Sequence, residues 1–212
     1  MLYSKSKKFL FIHVPKTGGT SLVKAMKKDC DRAFLPLRMI GYYFDDRGIK
    51  LPRSTYNILG YPYHVKADIL SDMWKEHYDE LYKFAFVRNP WDIAVSEYFY
   101  IKRKKVHPIH KVVNQMPDFE YYLKWKVENY NRDQSEWVCD ENDNLLVDFL
   151  GRFENYENDA RKILKKFGYK SEVPKENVTK KKGYQSYYTD KMAEIVSEMN
   201  KRDITNFGYE FE

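Results

Sequence analysis

The segment "FLFIHVPKTGGTSLVKAMKK" constrains the fold of this chain more than any other stretch. It begins with a continuous apolar run, Phe9–Val14, whose length and composition are typical of a buried parallel β-strand. Pro15 ends the run, two adjacent glycines follow, and Thr20 or Ser21 can cap the helix that "SLVKAMKK" predicts. This order of strand, glycine loop and helix is typical of an α/β domain that holds an anion at the start of the helix.

Strands and helices alternate along the rest of the chain. The sequence predicts strands at Thr55–Tyr61 and Lys83–Val87, a hairpin over residues 136–151, and a helix that starts at Pro90. Further helices are predicted over residues 67–78, 116–130, 155–169 and 189–204, with Asp118 and Thr189 as the caps of the second and the last of these. This alternation predicts an α/β fold, in which a P-loop-like, mostly parallel sheet is flanked by helices and residues 1–212 form a single domain.

The charge balance favours an anionic partner. The 212 residues carry 37 basic and 31 acidic side chains, and the net charge is +6. This small excess supports a site for an anionic ligand better than a surface that coats nucleic acid. Dense basic clusters lie at residues 101–107 and 179–184, and charge runs of this kind are usually solvated faces.

Nothing in the sequence indicates a secreted or membrane-spanning protein. Its two cysteines, Cys30 and Cys139, provide neither a disulfide framework nor a metal-ligand spacing. The apolar run near the N-terminus is too short for the core of a signal peptide, and no stretch approaches the roughly 20 apolar residues of a membrane span. We therefore expect a soluble cytoplasmic protein.

The glycine loop differs from the common ATP-binding loop, in which a lysine directly precedes the hydroxyl residue that holds Mg²⁺. Thr20 takes the place of that lysine, and Lys16 lies four residues earlier. Gly18 and Gly19 still permit backbone N–H groups to surround a phosphate, so we expect Lys16 to contact the group beyond it. Asp148, which follows "NLLV", is the only formal match to a magnesium-binding carboxylate, and we assign it a structural role and predict no metal.

A second anion site is predicted where the strand Lys83–Val87 ends. Arg88 follows that strand directly, and an arginine at the carboxyl edge of a parallel sheet suits a phosphate. Ser96 lies eight residues further, about two helical turns, and side chains near the start of a helix lean back toward its N-terminus. We therefore expect Arg88 and Ser96 to bind the same phosphate.

The motifs "PKTGGTSL" and "VRNPWDIAVSEYF" together resemble those of sulfotransferases that use 3′-phosphoadenosine 5′-phosphosulfate (PAPS), in particular the carbohydrate branch of heparan and chondroitin type. The resemblance continues through "LLVDFLGRFENYENDARKIL", "NVTKKKGYQSYY" and "DITNFGYEF", and therefore covers most of the chain. Because the chain is short and has no anchor, it resembles a soluble bacterial or viral form. The resemblance implies transfer of a sulfuryl group from PAPS to a hydroxyl of an acceptor, a saccharide, with PAP as product and without a metal or nucleic acid.

The resemblance also implies a role for each matching residue. Lys16 corresponds to the lysine that contacts the phosphosulfate and assists departure of the leaving phosphate. Arg88 and Ser96 correspond to the pair that binds the 3′-phosphate, and Ile93 stands where many relatives have a second arginine. The cradle of the 5′-phosphate corresponds to Thr17, Gly18, Gly19, Thr20 and Ser21. A late loop that closes over the nucleotide contributes Thr179, Lys181 and Tyr184.

The acceptor hydroxyl needs a general base, and histidine is the usual choice near neutral pH. His64 lies between a predicted strand and a helix, at the edge where the site of an α/β sheet opens, and its segment resembles the base-bearing segment of the family. We predict that His64 is the base. The other histidines are expected in the core (His13), on a helix surface (His77) and beside the basic run, where they can touch an anionic acceptor (His107, His110).

Two other functions remain open at this point. One is a Mg-ATP-dependent small-molecule kinase with a P-loop-like fold. The other is a non-enzymatic polyanion-binding protein that uses the basic clusters, with binding that depends steeply on salt. Contacts to an acceptor are expected in the variable residues 30–55 and 101–135.

Overall fold

Among the residues that the structure describes, four β-strands form a sheet in the order β1-β2-β3-β4. The computed structural model of the chain describes residues 1–30, 64–130, 132–170 and 183–212, so the predicted strand at Thr55–Tyr61 lies outside the described residues. The strands are β1 (Leu2–Ser4), β2 (Phe9–Ile12), β3 (Tyr82–Val87) and β4 (Phe149–Arg152). β1 is antiparallel to β2, whereas β2 with β3 and β3 with β4 are parallel pairs. The predicted α/β fold with a mostly parallel sheet is confirmed.

The described α-helices are α1 (Gly19–Met26), α2 (Ala67–Trp74), α3 (Glu76–Asp79), α4 (Pro90–Arg103), α5 (His110–Asn114), α6 (Phe119–Asn129), α7 (Ser135–Val138), α8 (Tyr156–Lys166), α9 (Asp190–Met199) and α10 (Lys201–Phe207). Short 3-10 turns cover Lys27–Asp29, Phe153–Asn155 and Tyr184–Tyr187. Within the described ranges, no helix is both long and apolar enough to cross a bilayer.

The chain divides into two compact units. The first comprises Met1–Val87 and Glu136–Glu176 and contains the whole described sheet with α1, α2, α3 and α8. The second comprises Arg88–Ser135 and Asn177–Glu212 and contains α4, α5, α6, α9 and α10. The chain passes from the first unit to the second directly after β3.

Aromatic side chains of the two central strands form the core of the first unit. Phe9 and Phe11 of β2 and Phe84 and Phe86 of β3 have no solvent-exposed surface. Leu22 and Met26 of α1 and Ile163 and Leu164 of α8 belong to the same buried cluster. Burial of each such side chain contributes about 1.5–3 kcal/mol, so this cluster anchors the loop that joins β2 to α1.

The core of the second unit is also aromatic. Tyr122 of α6 is fully buried, and its ring lies 5.1 Å from that of Tyr98 on α4. The Tyr122 hydroxyl donates to the Glu97 carboxylate at 2.9 Å, and the Lys126 ammonium is 2.6 Å from the same oxygen. Burial, followed by the charge of Glu97, raises the pKa of Tyr122 well above its usual value.

The predicted starts of three helices are confirmed, because they depend on local residues at the N-terminus of each helix. Pro90 is the first residue of α4, and the side chain of Asn89 accepts a hydrogen bond from the Trp91 N–H. Asp118 caps α6 and Thr189 caps α9, as the sequence indicates.

The predicted hairpin over residues 136–151 is correct for its turn but not for its ends. Antiparallel pairing consists of the isolated bridge between Cys139 and Leu145, flanked by hydrogen bonds from the Asp140 N–H to the Asn144 carbonyl at 3.0 Å and from the Leu146 N–H to the Val138 carbonyl at 2.8 Å. The segment begins with the short helix α7 and ends in β4, which pairs in parallel with β3. The predicted helix over residues 67–78 is also interrupted, at Lys75, whose φ is +43°.

Candidate functional site

The loop between β2 and α1 has an unusual backbone. Lys16 has a φ of +67° and Gly18 a φ of +81°, and both values lie in the left-handed region. Positive φ costs a lysine of order 1–3 kcal/mol, and Lys8 and Lys75 also have positive φ, but of these lysines Lys16 lies in the glycine loop directly before a helix. α1 begins directly after this double turn, and the first N–H groups of a helix have no carbonyl partner within it.

Gly18 is the N-cap of α1, and no side chain caps this helix. The expectation that Thr20 or Ser21 would cap it is therefore wrong. The left-handed turn at Gly18 starts the helix earlier than the sequence pattern indicates, so that Thr20 and Ser21 already belong to its first turn. Thr20 is exposed there, whereas Ser21 is buried.

The hydroxyl of Thr17 is used within the loop. Thr17 is fully buried, and its hydroxyl donates to the Val14 carbonyl at 2.9 Å. Ser21 is also buried, and its N–H donates to the Gly18 carbonyl at 3.2 Å. The Thr17 bond holds the loop in shape, so a contact of Thr17 with an anion would come from its backbone.

Aromatic residues from the turn after β4 support the loop, and the sequence analysis did not find them. The Tyr156 hydroxyl donates to the Gly18 carbonyl at 2.9 Å, and burial raises the pKa of this phenol to about 12. A Cβ at Gly18 would lie only 3.1 Å from the rings of Phe153 and Tyr156. Nothing in the string "RFENYEN" by itself indicates that its rings cover the glycine loop.

His13 lies directly beneath the start of α1. Its side chain is buried, as predicted, and a Cβ at Gly19 would overlap the imidazole ring. Burial, followed by the nearby His64, lowers the pKa of His13 well below its usual value. His13 is therefore a neutral packing residue that requires glycine at position 19.

His64 is oriented by the end of β2. Its Nδ1 lies 2.6 Å from the His13 carbonyl oxygen, and the two imidazole ring centroids are 4.5 Å apart. Because a carbonyl oxygen can only accept, Nδ1 of His64 must carry the proton in this bond. The neutral ring then has its lone pair on Nε2, which is the form that a general base requires.

The structure brings Arg88 and Ser96 together. The Arg88 Nη1 donates to the Ser96 hydroxyl at 3.3 Å. The same guanidinium makes an ion pair with Asp92 of α4, with Nε at 2.8 Å and Nη2 at 2.7 Å from one carboxylate oxygen. Asp92 was not found from the sequence, although its position one helical turn after Arg88 is the signal for such a pair.

Tyr184 is the described member of the three predicted late-loop residues; Thr179 and Lys181 lie outside the described residues. The Tyr184 hydroxyl accepts a hydrogen bond from the Asn89 side chain at 3.2 Å and donates to the Glu212 carbonyl at 3.1 Å. Tyr184 thus contacts the residue that follows Arg88 and caps α4.

The Asp148 carboxylate binds Lys83 of β3. One of its carboxylate oxygens accepts from the Lys83 N–H at 2.7 Å and lies 3.2 Å from the Lys83 ammonium. These contacts are those of a structural residue at the start of β4. In the part of the chain that the structure describes, no three His, Cys, Asp or Glu side chains are grouped as metal ligands would be.

The sulfotransferase family model matches residues 1–210. The chain therefore belongs to the sulfotransferase family, the enzymes that transfer sulfuryl groups. An uncharacterized protein of Archaeoglobus fulgidus is 32% identical over 110 residues, which are 47% of this chain and 78% of that protein. The fold is similar to that of mouse sulfotransferase SULT7A1, crystallised in complex with PAP, with a TM-score of 0.52, 15% identity, and coverage of 97% of this chain and 87% of the mouse chain.

Proposed function

We propose that this protein transfers the sulfuryl group of PAPS to a hydroxyl of a carbohydrate acceptor. The observation that carries the proposal is the loop in which Lys16 and Gly18 both have positive φ directly before α1. Such a loop presents backbone N–H groups and a lysine to an anion, and it follows a strand of a parallel sheet. The residues present therefore fit a phosphosulfate.

Lys16 and the start of α1 would hold the 5′-phosphosulfate. PAPS supplies the sulfuryl group, whose bond to the phosphate oxygen breaks as the acceptor oxygen attacks. The positive charge of Lys16 then stabilises the negative charge that develops on the phosphate, and the α1 N–H groups share this task. The phosphosulfate bears fewer negative charges than a triphosphate, so a lysine and backbone N–H groups can stabilise that charge without a metal ion.

Arg88 and Ser96 would bind the 3′-phosphate of the nucleotide. A guanidinium can offer two parallel N–H groups to a phosphate, and Ser96 adds a hydroxyl beside Nη1. Asp92 fixes the guanidinium from the other side. The PAP complex of the mouse protein supports extending this ligand to the present chain.

His64 would accept the proton of the acceptor hydroxyl on its Nε2. The hydrogen bond from Nδ1 to the His13 carbonyl supports this role, since it leaves Nε2 with the lone pair. The saccharide acceptor rests on the resemblance of the motifs to the carbohydrate branch. The family match runs through residues of both units, which supports a single sulfotransferase domain over residues 1–212.

Calorimetry followed by a transfer assay tests the proposal. We expect the protein to bind PAP without added metal and to prefer PAP over ATP with or without Mg²⁺. With labelled PAPS and a panel of glycans and small alcohols, we expect label to appear on a saccharide, at a rate that EDTA does not change. Preference for ATP with Mg²⁺, or absence of PAP binding, would contradict the proposal.

A further inference from the structure

Gln134 forms a two-bond contact with the backbone of Arg88. Its side-chain oxygen accepts from the Arg88 N–H at 2.8 Å, and its Nε2 donates to the Arg88 carbonyl at 2.8 Å. Gln134 is 4% exposed, so these bonds are shielded from water. A side-chain amide has a donor and an acceptor arranged as in a peptide group. Gln134 therefore makes the same pair of hydrogen bonds with the Arg88 backbone as a residue of a neighbouring strand would make.

Asp203 of α10 holds Gln134 in place. One carboxylate oxygen accepts from the Gln134 N–H at 2.7 Å and from its Nε2 at 3.3 Å. The other accepts from the N–H and the hydroxyl of Ser135, both at 2.7 Å. Asp203 and Ser135 have no solvent-exposed surface. The chain from Asp203 through Gln134 to Arg88 is therefore continuous, and all its members belong to the second unit.

A buried carboxylate is costly unless hydrogen bonds satisfy it. Burial raises the pKa of Asp203, and its bonds to Ser135 and Gln134 act in the opposite direction. Packing alone does not require this arrangement, because an apolar side chain would fill the same space without the desolvation cost. The Asp203 carboxylate instead orients the Gln134 side chain, so that both its oxygen and its nitrogen face the Arg88 backbone.

The Arg88 side chain is thus fixed at two points. Its guanidinium is held by Asp92 and Ser96 of α4, and its peptide group is held by Gln134. The orientation of the peptide group sets the direction of the Arg88 Cα–Cβ bond. Small displacements of a binding group have large effects on binding and rate.

We propose that Gln134 and Asp203 are positioning residues that set the preference of this protein for a 3′-phosphorylated nucleotide. This inference rests on the proposed function.

Binding of two nucleotides that differ in one group tests the inference. PAP and 5′-AMP share the adenosine 5′-phosphate, and 5′-AMP lacks only the 3′-phosphate. The ratio of their Kd values measures the 3′-phosphate preference, and a partly unfolded sample changes both values equally. For Gln134→Met, which has similar length and no amide, we expect this ratio to fall at least about tenfold while the Kd of 5′-AMP stays within about twofold.

Reference variants set the scale of the experiment. Arg88→Met should abolish the preference, and Gln115→Met, which changes an exposed glutamine of the same unit, should leave it intact. Asp203→Asn should lower the preference as Gln134→Met does, and provides the measurement if the first variant does not fold. A wild-type ratio in either variant overturns the inference alone. Equal binding of PAP and 5′-AMP by the wild type overturns the proposed function and the inference together.

Discussion

Lys16 occupies a backbone conformation that glycine would adopt without cost. Its φ is +67°, and the side chain is half-buried. A residue with a side chain stores about 1–3 kcal/mol of strain in this conformation. Lys8 and Lys75 also have positive φ, so what distinguishes Lys16 is its position in the glycine loop directly before α1.

This leads to an unusual expectation for Lys16→Gly. Because glycine relieves the positive φ but removes the charge at the leaving phosphate, we expect the turnover number to fall about 10²- to 10³-fold. The free energy of unfolding should be unchanged or higher. Sulfate transfer and urea unfolding of the same samples measure the two effects. Lys24→Ala, which removes an exposed lysine of α1, is the control and should change neither. A normal rate in Lys16→Gly would refute the loop assignment.

His64 is the second residue whose role can be separated from folding. We expect His64→Ala to lower turnover about 10²- to 10⁴-fold, because the acceptor proton loses its base. PAP binding should be retained, since the base faces the acceptor hydroxyl. The matched variant is His77→Ala, at a histidine whose side chain is 42% exposed. If His64→Ala turns over at the wild-type rate, another group is the base.

At the scale of elements, the junction of β2 and α1 depends on one close approach. His13 follows β2, and its ring lies where a Cβ at position 19 would be. The ring also stacks on Phe11, at 5.4 Å between centroids, so it is held within the core. The start of α1 can therefore lie close to the strand end only with glycine at position 19.

Gly19→Ala should push α1 away from His13. We expect a loss of about 1–3 kcal/mol in the free energy of unfolding and weaker PAP binding, measured by urea titration and calorimetry. Because the clash is with the imidazole, His13→Ala should recover part of the loss in the double variant. Gly168→Ala is the comparison, since a Cβ there meets nothing within 4 Å and is disfavoured only by its φ of +72°. If His13→Ala rescues both substitutions equally, the packing argument fails.

At the scale of the whole molecule, the buried His13 links stability to pH. Its native pKa is lowered below the value of about 6.5 that it has in the unfolded chain. As the pH falls below that value, the unfolded state takes up a proton that the native state does not. The free energy of unfolding should therefore decrease toward acid pH, and the contribution of His13 is fully present above pH 6.5.

Urea unfolding between pH 7.5 and 5 measures this dependence. Carboxylates also titrate in this range, so the relevant quantity is the difference between the wild type and His13→Asn. The wild type should lose stability more steeply, by up to about 1.4 kcal/mol per pH unit. Parallel curves would show that His13 is not kept neutral by the native fold.

Local features of the sequence determined much of this protein. The apolar run before Pro15 predicted the buried parallel strand β2, and the run ending at Val87 predicted β3. Pro90 as a first helical residue, and the caps Asp118 and Thr189, placed helix starts correctly. Arg88 and Ser96 were expected to lie together from their spacing, and the long Arg88 side chain does reach Ser96 on α4 from its position just before the helix. The assigned roles of the site residues stay predictions.

Only the tertiary structure decided what surrounds these residues. Residues 136–151 fold back on themselves only around the bridge between Cys139 and Leu145, and their last residues form β4, which pairs in parallel with β3. Tyr156 reaches Gly18 across 138 positions, and Gln134 reaches Arg88 across 46. Such contacts have no periodicity in the chain, since they follow from the packing of elements and not from the propensity of any one of them. The sequence by itself therefore predicted which groups would meet an anion, and the tertiary structure determined which residues hold those groups in place.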